Sequence, residues 1–298
     1  MQGRRRKIMA FDVNFAIDEM YPAASAAYLA MTTPQPPLPA GYTLVGTITA
    51  NPQAAAAAVA AAPAAAQALP HLLVSESSIF GLVCWNADEK SLIVAIRGTK
   101  TPIEWIADLD AVPAIWPRYP AAGLVHMGFQ LVYEHIAASI KDLVAPYVAQ
   151  ADEIWVTGHS LGGALAILTA YDLAKSNPTA KVPELYTFAG PRVGNPIFAA
   201  DFDTLIPQCQ RIVNFMDVVP QLPLPPAYEH VGTGTLVFGG FKLDPAYAHA
   251  LTTYLNGLQK LQGAAGTNAA TGHAATLHAA ATLAYDVSLA EQQAALAR

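Results

Sequence analysis

The chain lacks two features that define large classes of protein: a basic surplus and a long apolar run. Of its 298 residues, 16 are Lys or Arg and 22 are Asp or Glu, and the formal net charge is −6. With no basic face to neutralise a phosphate backbone, we expect no nucleic-acid partner. No run reaches the roughly 18 uninterrupted apolar residues that a membrane-spanning helix needs. Residues 53–69 come nearest, but they are mostly alanine with a proline inside, which predicts a surface helix.

Cysteine is also scarce, with only Cys84 and Cys209, far apart in the sequence and each among apolar neighbours. This pattern predicts two buried thiols rather than a disulfide. It also predicts no metal site, since a structural metal needs more ligands than the chain offers in one place. We expect no metal and no organic cofactor.

A secretory signal is not convincing either. The basic cluster at residues 4–7 is followed by Asp12, Asp18 and Glu19, where the apolar part of a signal peptide would lie. The expected location is therefore the cytoplasm by default, unless the chain begins at a start already processed after secretion. The high alanine content is typical of a GC-rich genome and predicts a bacterial source.

Apolar runs of strand length alternate with segments of helical spacing. The predicted strands are 42–49, 79–86, 91–98, 153–158, 184–190, 210–217 and 234–244. The predicted helices are 12–31, 128–150, 160–176, 246–261 and an appended C-terminal helix over about 274–297. Such alternation is typical of a mainly parallel sheet covered by helices on both faces. With no clear boundary and no repeat, we predict one α/β domain over residues 1–298.

One strand-to-helix junction carries a chemical signal. The segment EIWVTGHSLGGALAIL places Gly158, His159, Ser160, Leu161 and Gly162 between a β-type run and a small-residue helix. Gly-x-Ser-x-Gly in this context predicts a nucleophile elbow, in which the turn is too tight for side chains at the two glycines. The serine is then held in a strained conformation at the tip of the turn. The free amides and the positive end of the helix face the reacting oxygen.

A nucleophilic serine on such a fold is followed along the chain by its acid and then by its histidine. Asp217 fits the acid, because it ends the apolar run RIVNFM and precedes Val-Val-Pro, whereas Asp201 and Asp203 come before that strand and predict surface carboxylates. The later histidines are His230, His249, His273 and His278. His249 is favoured, since it follows the last strand and opens a helix; His230 precedes that strand, and the two tail histidines stay open.

Several motifs now resemble those of a known family. The segments that carry the resemblance are VAIRGTKTPIEWIADLD, VHMGFQLVY, VTGHSLGGALA, YTFAGPRVGNP, NFMDVVPQLP, EHVGTG and HALTTYL, within about residues 75–258. Together they resemble the fungal-type triacylglycerol lipases, the class 3 lipases of the α/β-hydrolase superfamily. The resemblance implies an α/β-hydrolase fold, with Ser160 as nucleophile, Asp217 as acid and His249 as base.

The resemblance also implies an oxyanion hole and a lid. The oxyanion donors would be the backbone amides of Thr99 and Leu161, and the lid would cover about residues 100–117. The apolar face of that lid consists of Ile103, Trp105, Ile106 and Leu109. An apolar lid favours a lipid or other water-insoluble ester as substrate, with transient contact of the open lid with a lipid interface. The oligomeric state stays open.

The function expected from the resemblance is a serine carboxylic-ester hydrolase, acting first of all as a lipase on acylglycerols. Within the enzymes, the alternatives are a phospholipase, a feruloyl-type esterase or a polyester esterase on the same triad. A non-catalytic lipid-binding protein is a further alternative, against which the intact set of Ser160, Asp217, His249 and Thr99 argues. A last alternative is a partner-binding role for the C-terminal helix.

Overall fold

The computed structural model of this chain describes residues 10–51, 53, 79–99 and 112–268. Its strands are β1 Thr43–Thr49, β2 Ile79–Asn86, β3 Ser91–Ile96, β4 Pro113–Ile115, β5 Leu124–His126, β6 Glu153–His159, β7 Glu184–Phe188, β8 Cys209–Asn214 and β9 Thr233–Val237. Its α-helices are α1 Val13–Phe15, α2 Tyr21–Leu29, α3 Met127–Val144, α4 Leu161–Ser176, α5 Pro196–Leu205, α6 Pro245–His249 and α7 Leu251–Asn268. A π-helical turn, Ala16–Met20, joins α1 to α2, and a 3-10 turn covers Val219–Gln221.

Seven of these strands form one sheet in the order β1-β2-β3-β6-β7-β8-β9. The strands β3, β6, β7, β8 and β9 run parallel to one another, and β2 is antiparallel to both β1 and β3. The carboxyl ends of the parallel strands therefore meet at one edge, where ligands of open α/β sheets bind. The segments that carry Thr99, Ser160 and Asp217 all leave the sheet at this edge.

Side chains of the central strands alternate between two apolar layers, as the pleat of a strand requires. On β3, Val94 packs into one layer with α3, α4 and α5, while Ile93 packs into the other with α1, α2 and α7. On β6, Val156 and Trp155 divide in the same way. Both layers exclude water from a continuous run of strand residues, which is why these strands read as unbroken apolar segments.

The prediction of a mainly parallel sheet with helices on both faces is confirmed. Each predicted strand is present, and the largest difference is at the last strand, which was predicted over 234–244 and spans Thr233–Val237. The predicted helix 246–261 is divided into α6 and α7, because Ala250 adopts an extended ψ of 133°. Three elements were not predicted, namely β4, β5 and α5. The Ala-rich stretch and the predicted helix 274–297 lie outside the described residues.

The end of the predicted lid differs from expectation. Residues 100–111, with the four apolar lid side chains, lie outside the described residues. Residues 112–117 were included in the predicted lid, but they contain β4, which pairs with β5, and Trp116, whose side chain is completely buried. The Trp116 ring contacts Tyr119, Tyr133 and Tyr171 at centroid distances of 5.1–5.8 Å. This aromatic group ties the segment to the core between α3 and α4.

The two thiols are free and buried, as predicted. Cys84 belongs to the layer of α2 and α7, and Cys209 belongs to the opposite layer. The sheet separates them, so no disulfide can join them without rebuilding the fold. In the part of the chain that the structure describes, no helix is long and apolar enough to cross a membrane. The same residues contain no group of three or more His, Cys, Asp or Glu that could hold a metal ion.

The burial of Trp116 gives a testable prediction for stability. Trp116→Ala removes a fully buried aromatic side chain and is expected to lower the free energy of unfolding by about 3–5 kcal/mol. The matched control is Ile115→Ala at the neighbouring position, where the side chain is 58% exposed. The control is expected to change the free energy of unfolding by less than about 0.5 kcal/mol. Urea denaturation at equilibrium measures both; equal losses would contradict the assignment of residues 112–117 to the core.

Candidate active site

The turn at Ser160 has the strained backbone that a nucleophile elbow requires. Ser160 has φ 61° and ψ −128°, a conformation that L-residues rarely adopt, between the end of β6 and the start of α4. Its amide donates to the Phe188 carbonyl at the end of β7, at 2.9 Å. The neighbouring strand therefore helps to hold the turn in place. The side chain is buried, with 1% of its surface exposed.

The two elbow glycines are required by backbone contacts on two sides. A Cβ on Gly158 would lie 2.2 Å from the Gly162 carbonyl oxygen, inside the turn itself. A Cβ on Gly162 would lie 2.1 Å from the Ile96 carbonyl oxygen, on the adjacent strand β3. Both positions therefore exclude any side chain. The second contact adds to the expected reason, since it is the approach of α4 to β3, and not only the turn, that selects glycine.

The acid and the base predicted from the sequence are in contact. Asp217 follows β8, and its Oδ2 lies 2.8 Å from His249 Nδ1. Both side chains are buried, with 1% and 3% of their side-chain surface exposed. The other carboxylate oxygen of Asp217 accepts from the Val219 amide at 3.0 Å. Because the carboxylate accepts at Nδ1, that nitrogen carries the proton and Nε2 of the neutral ring is left as an acceptor.

Two supporting residues were missed by the sequence reasoning. Tyr254 on α7 donates its hydroxyl to Asp217 Oδ2 at 2.6 Å. Asn214, at the end of β8 and completely buried, donates from its amide nitrogen to the Ala248 carbonyl at 2.7 Å. Tyr254 thus fixes the acid, and Asn214 fixes the backbone just before His249. The motif HALTTYL contains Tyr254, but only the break between α6 and α7 turns it toward Asp217.

The loop after β3 packs directly on the elbow, as the predicted oxyanion hole requires. A Cβ on Gly98 would lie 2.7 Å from the His159 carbonyl oxygen and 2.9 Å from Ser160 Cβ. Thr99, the next residue, is 7% exposed, and its hydroxyl has no hydrogen-bond partner among the described residues. Leu161 is the first residue of α4, where backbone amides lack partners within the helix. The loop and the helix start are thus adjacent at Ser160.

Two buried polar atoms of the predicted site are unpaired within the described part of the chain. Ser160 Oγ and His249 Nε2 each lack a hydrogen-bond partner among the residues that the structure describes. A buried polar atom without a partner is costly and is found mainly where function needs it. The hydrogen bond between a serine nucleophile and its base is often formed only in the complex with substrate. The described residues therefore contain a buried Asp217–His249 hydrogen bond and a buried serine hydroxyl that has no partner among them.

The remaining candidates have other contacts. His230 Nε2 donates to the Pro220 carbonyl at 2.7 Å, and burial lowers the pKa of His230 well below its ordinary value. Asp201 accepts from the Tyr171 hydroxyl, and Asp203 accepts from the Gly232 amide at 2.7 Å. None of these contacts involves Asp217 or Ser160. His273 and His278 lie outside the described residues, as do the lid residues Ile103, Trp105, Ile106 and Leu109.

A sheet of this topology, with a strained serine after β6 and a buried acid–histidine pair after β8 and β9, defines an α/β-hydrolase. Residues 93–226, a little less than half of the chain, match the family model of the class 3 lipases. The matched residues include Ser160 and Asp217, whereas His249 and the N-terminal helices lie outside them.

Named relatives agree with this family. A chloroplastic/mitochondrial phospholipase A1 of Oryza sativa subsp. indica is 34% identical over 234 residues, covering 62% of this chain and 54% of the relative. A lipase of Rhizomucor miehei is 38% identical over 161 residues, covering 51% of this chain and 43% of the relative. The chain thus spans about half the length of the curated relatives that it matches. These relatives come from a plant and a fungus, so the predicted bacterial source has no support among them.

Solved structures extend the likeness to the fold. One describes a triacylglycerol lipase whose catalytic centre is formed by a serine protease triad; it has a TM-score of 0.58, is 25% identical, and covers 77% of this chain and 81% of that chain. A deletion mutant of the Rhizomucor miehei lipase in complex with its propeptide has a TM-score of 0.58 and is 25% identical, covering 76% of this chain and 67% of that chain.

Buried neutral histidines make the stability of this protein sensitive to acid. His126 accepts from the Gly128 amide at the start of α3, and burial lowers its pKa to about 4. In the unfolded chain this imidazole takes up a proton below about pH 6.5. The stability that it contributes is therefore present above pH 6.5 and is lost as the pH falls toward 4.

We predict that His126→Asn, which keeps a capping acceptor but cannot titrate, flattens the acid side of the stability profile. Between pH 6.5 and 4 the free energy of unfolding of the variant is expected to fall by up to about 3 kcal/mol less than that of the wild type. Urea denaturation at half-unit pH steps measures the difference. Parallel profiles of the two proteins would show that His126 titrates alike in both states.

Proposed function

We propose that the protein hydrolyses carboxylic esters of lipids through an acyl-enzyme on Ser160. The observation that carries this proposal is the buried hydrogen bond from His249 Nδ1 to Asp217 Oδ2, 2.8 Å long, together with an elbow serine whose hydroxyl has no partner among the described residues. An orphaned serine hydroxyl and an orphaned imidazole nitrogen are costly in a core, and a reaction that uses both explains why they are kept.

In the proposed reaction, His249 Nε2 takes the proton of Ser160 as Oγ attacks the ester carbonyl carbon. Asp217 holds the imidazole in the correct tautomer and stabilises the imidazolium that forms. His249 then donates that proton to the leaving alcohol, and the acyl group stays on Ser160. A water molecule repeats the sequence on the acyl-enzyme and releases the carboxylic acid.

The tetrahedral intermediate carries a negative oxygen, and the amides of Thr99 and Leu161 are the proposed donors to it. The close contact between Gly98 and Ser160 Cβ brings the loop of Thr99 to the start of α4. The Thr99 hydroxyl is buried and has no partner among the described residues, so it can supply a third donor to the same oxygen. One such donor is typically worth roughly 2.7–4 kcal/mol of transition-state stabilisation.

An acylglycerol is the proposed substrate, with phospholipase A1 activity as the second candidate. The resemblance to a triacylglycerol lipase in fold and a 38% identical lipase of Rhizomucor miehei support the first. The 34% identical phospholipase A1 of Oryza sativa subsp. indica supports the second. The segment 100–111, with its apolar residues, is proposed as a lid that contacts a lipid surface when it opens.

The catalytic assignment is tested by Ser160→Ala and His249→Ala, with His230→Gln as the matched histidine control. Each of the first two is expected to lower kcat on a soluble short-chain ester by about 10⁴-fold or more, since triad members act as a unit. The control is expected to stay within about tenfold of the wild type, because His230 contacts neither Asp217 nor Ser160.

Labelling with a lipid-like phosphonate, followed by mass spectrometry, tests the nucleophile directly. We expect a single adduct on Ser160, formed much more slowly in His249→Ala. An unchanged rate of labelling in that variant would indicate that another histidine is the base. An unlabelled wild type with no esterase activity would favour a protein that binds lipid without hydrolysing it.

The substrate class is tested by assaying triacylglycerol emulsions and diacyl phospholipid vesicles side by side. Release of fatty acid mainly from triacylglycerol supports the first candidate, and release mainly from the phospholipid supports the second. A jump in rate as a short-chain triacylglycerol passes its solubility limit is the expected result for an apolar lid. A smooth saturation curve through that limit would contradict the lid proposal.

A further inference from the structure

A chain of hydrogen bonds passes behind the proposed site and begins on the N-terminal helix α2. The amide of Gly98 donates to the Tyr28 hydroxyl oxygen at 2.9 Å. The same hydroxyl lies 2.8 Å from His159 Nδ1, and His159 Nε2 lies 2.8 Å from the His249 carbonyl oxygen. The His159 ring is buried and stands 4.7 Å from the His249 ring, centroid to centroid.

The direction of each hydrogen bond follows from the groups involved. A carbonyl oxygen can only accept, so His159 Nε2 must carry the proton that it shares with His249. Burial lowers the pKa of His159 well below its ordinary value, so the ring is neutral and its Nδ1 is an acceptor. Tyr28 must then donate to Nδ1 and accept from Gly98. All four groups are satisfied in one consistent order.

Apart from Tyr28, each member of the chain belongs to, or is next in sequence to, a residue of the proposed mechanism. Gly98 precedes Thr99, and His159 precedes Ser160. The final acceptor is the carbonyl of His249 itself. A shift of the Tyr28 hydroxyl therefore reaches the oxyanion loop, the elbow and the base together.

The Tyr28 hydroxyl is packed tightly against the loop that contains Gly98. A Cβ on Gly98 would lie 2.6 Å from the Tyr28 hydroxyl oxygen. The tyrosine therefore contacts the loop backbone directly, and no side chain fits between them. Since the hydroxyl is the partner of both Gly98 and His159, its removal orphans a backbone amide and an imidazole nitrogen at once.

We propose that Tyr28 is a positioning residue, which acts through His159 to hold the base His249 and the oxyanion loop in register with Ser160. This role rests on the proposed function. Tyr28 lies outside residues 93–226, the part that matches the class 3 lipase family model, so the N-terminal helix completes a site that the matched part does not contain in full.

The first experiment tests the chain without any reaction. Long-range proton–nitrogen NMR of the full-length protein, with labelled histidine, reports the tautomer of His159. Between pH 5 and 8 we expect a protonated Nε2, an unprotonated Nδ1 and no titration. A proton on Nδ1, or titration of His159 within this range, would overturn the proposed chain whether or not the protein is an esterase.

The second experiment compares Tyr28→Phe with Tyr21→Phe, the same change on the same helix at a residue whose ring packs on Phe188. Because small misplacements of reacting groups cost large factors, kcat on a soluble ester and the phosphonate labelling rate are expected to fall about tenfold or more in Tyr28→Phe. KM is expected to stay within about twofold, and labelling should still reach every molecule. Tyr21→Phe is expected to match the wild type.

The outcomes separate positioning from a structural role. A smaller labelled fraction with an unchanged rate in that fraction would mean that Tyr28 only helps the protein to fold, and would overturn the proposal. Equal rates in the two variants would overturn it as well. A wild type that is not labelled at all would overturn the proposed function and this role with it, while the NMR result would still decide the hydrogen-bond order.

Discussion

The rest of the site depends on close contacts around Ser160 between backbone segments whose glycines carry no side chain. Gly158 faces the carbonyl of Gly162, Gly162 faces the carbonyl of Ile96, and Gly98 faces the elbow from the next loop. Any side chain at these positions would separate β3, β6 and α4. Because the three segments touch, the turn is held at a φ of 61°, and the loop after β3 and the start of α4 both lie next to Ser160.

A second organising feature is the way charge is distributed around that turn. Asp217 is held by three donors, from His249, Tyr254 and the Val219 amide. The histidine beside the serine, His159, is neutral because burial and the neighbouring His249 lower its pKa. A neutral His159 adds no positive charge beside the imidazole of His249. The three donors and the neutral neighbour thus surround Asp217 and His249 without a second charged imidazole.

Much of the fold could be predicted because its strands are buried on both faces. Runs such as SLIVAI and EIWVT stand out from the sequence, and their alternation with helices fixes a parallel sheet. The short strands β4 and β5, with three residues each, are too brief for a periodic signal. Residues 112–117 were assigned to the lid because the family resemblance implies a lid over about residues 100–117. Their place in the core depends on Trp116 contacting rings from distant segments, which no local pattern contains.

By itself, the sequence determined the class of fold and the turn at Ser160, and it predicted a serine, an acid and a histidine in that chain order, because these depend on local rules of turn geometry and on segment order. Only the tertiary structure decided which histidine meets Asp217, since that choice depends on the break at Ala250 and on Asn214 and Tyr254. Only it placed Tyr28 behind the elbow. Contacts between Tyr28, His159 and His249 join residues up to 131 positions apart. No local sequence pattern predicts contacts between residues that far apart.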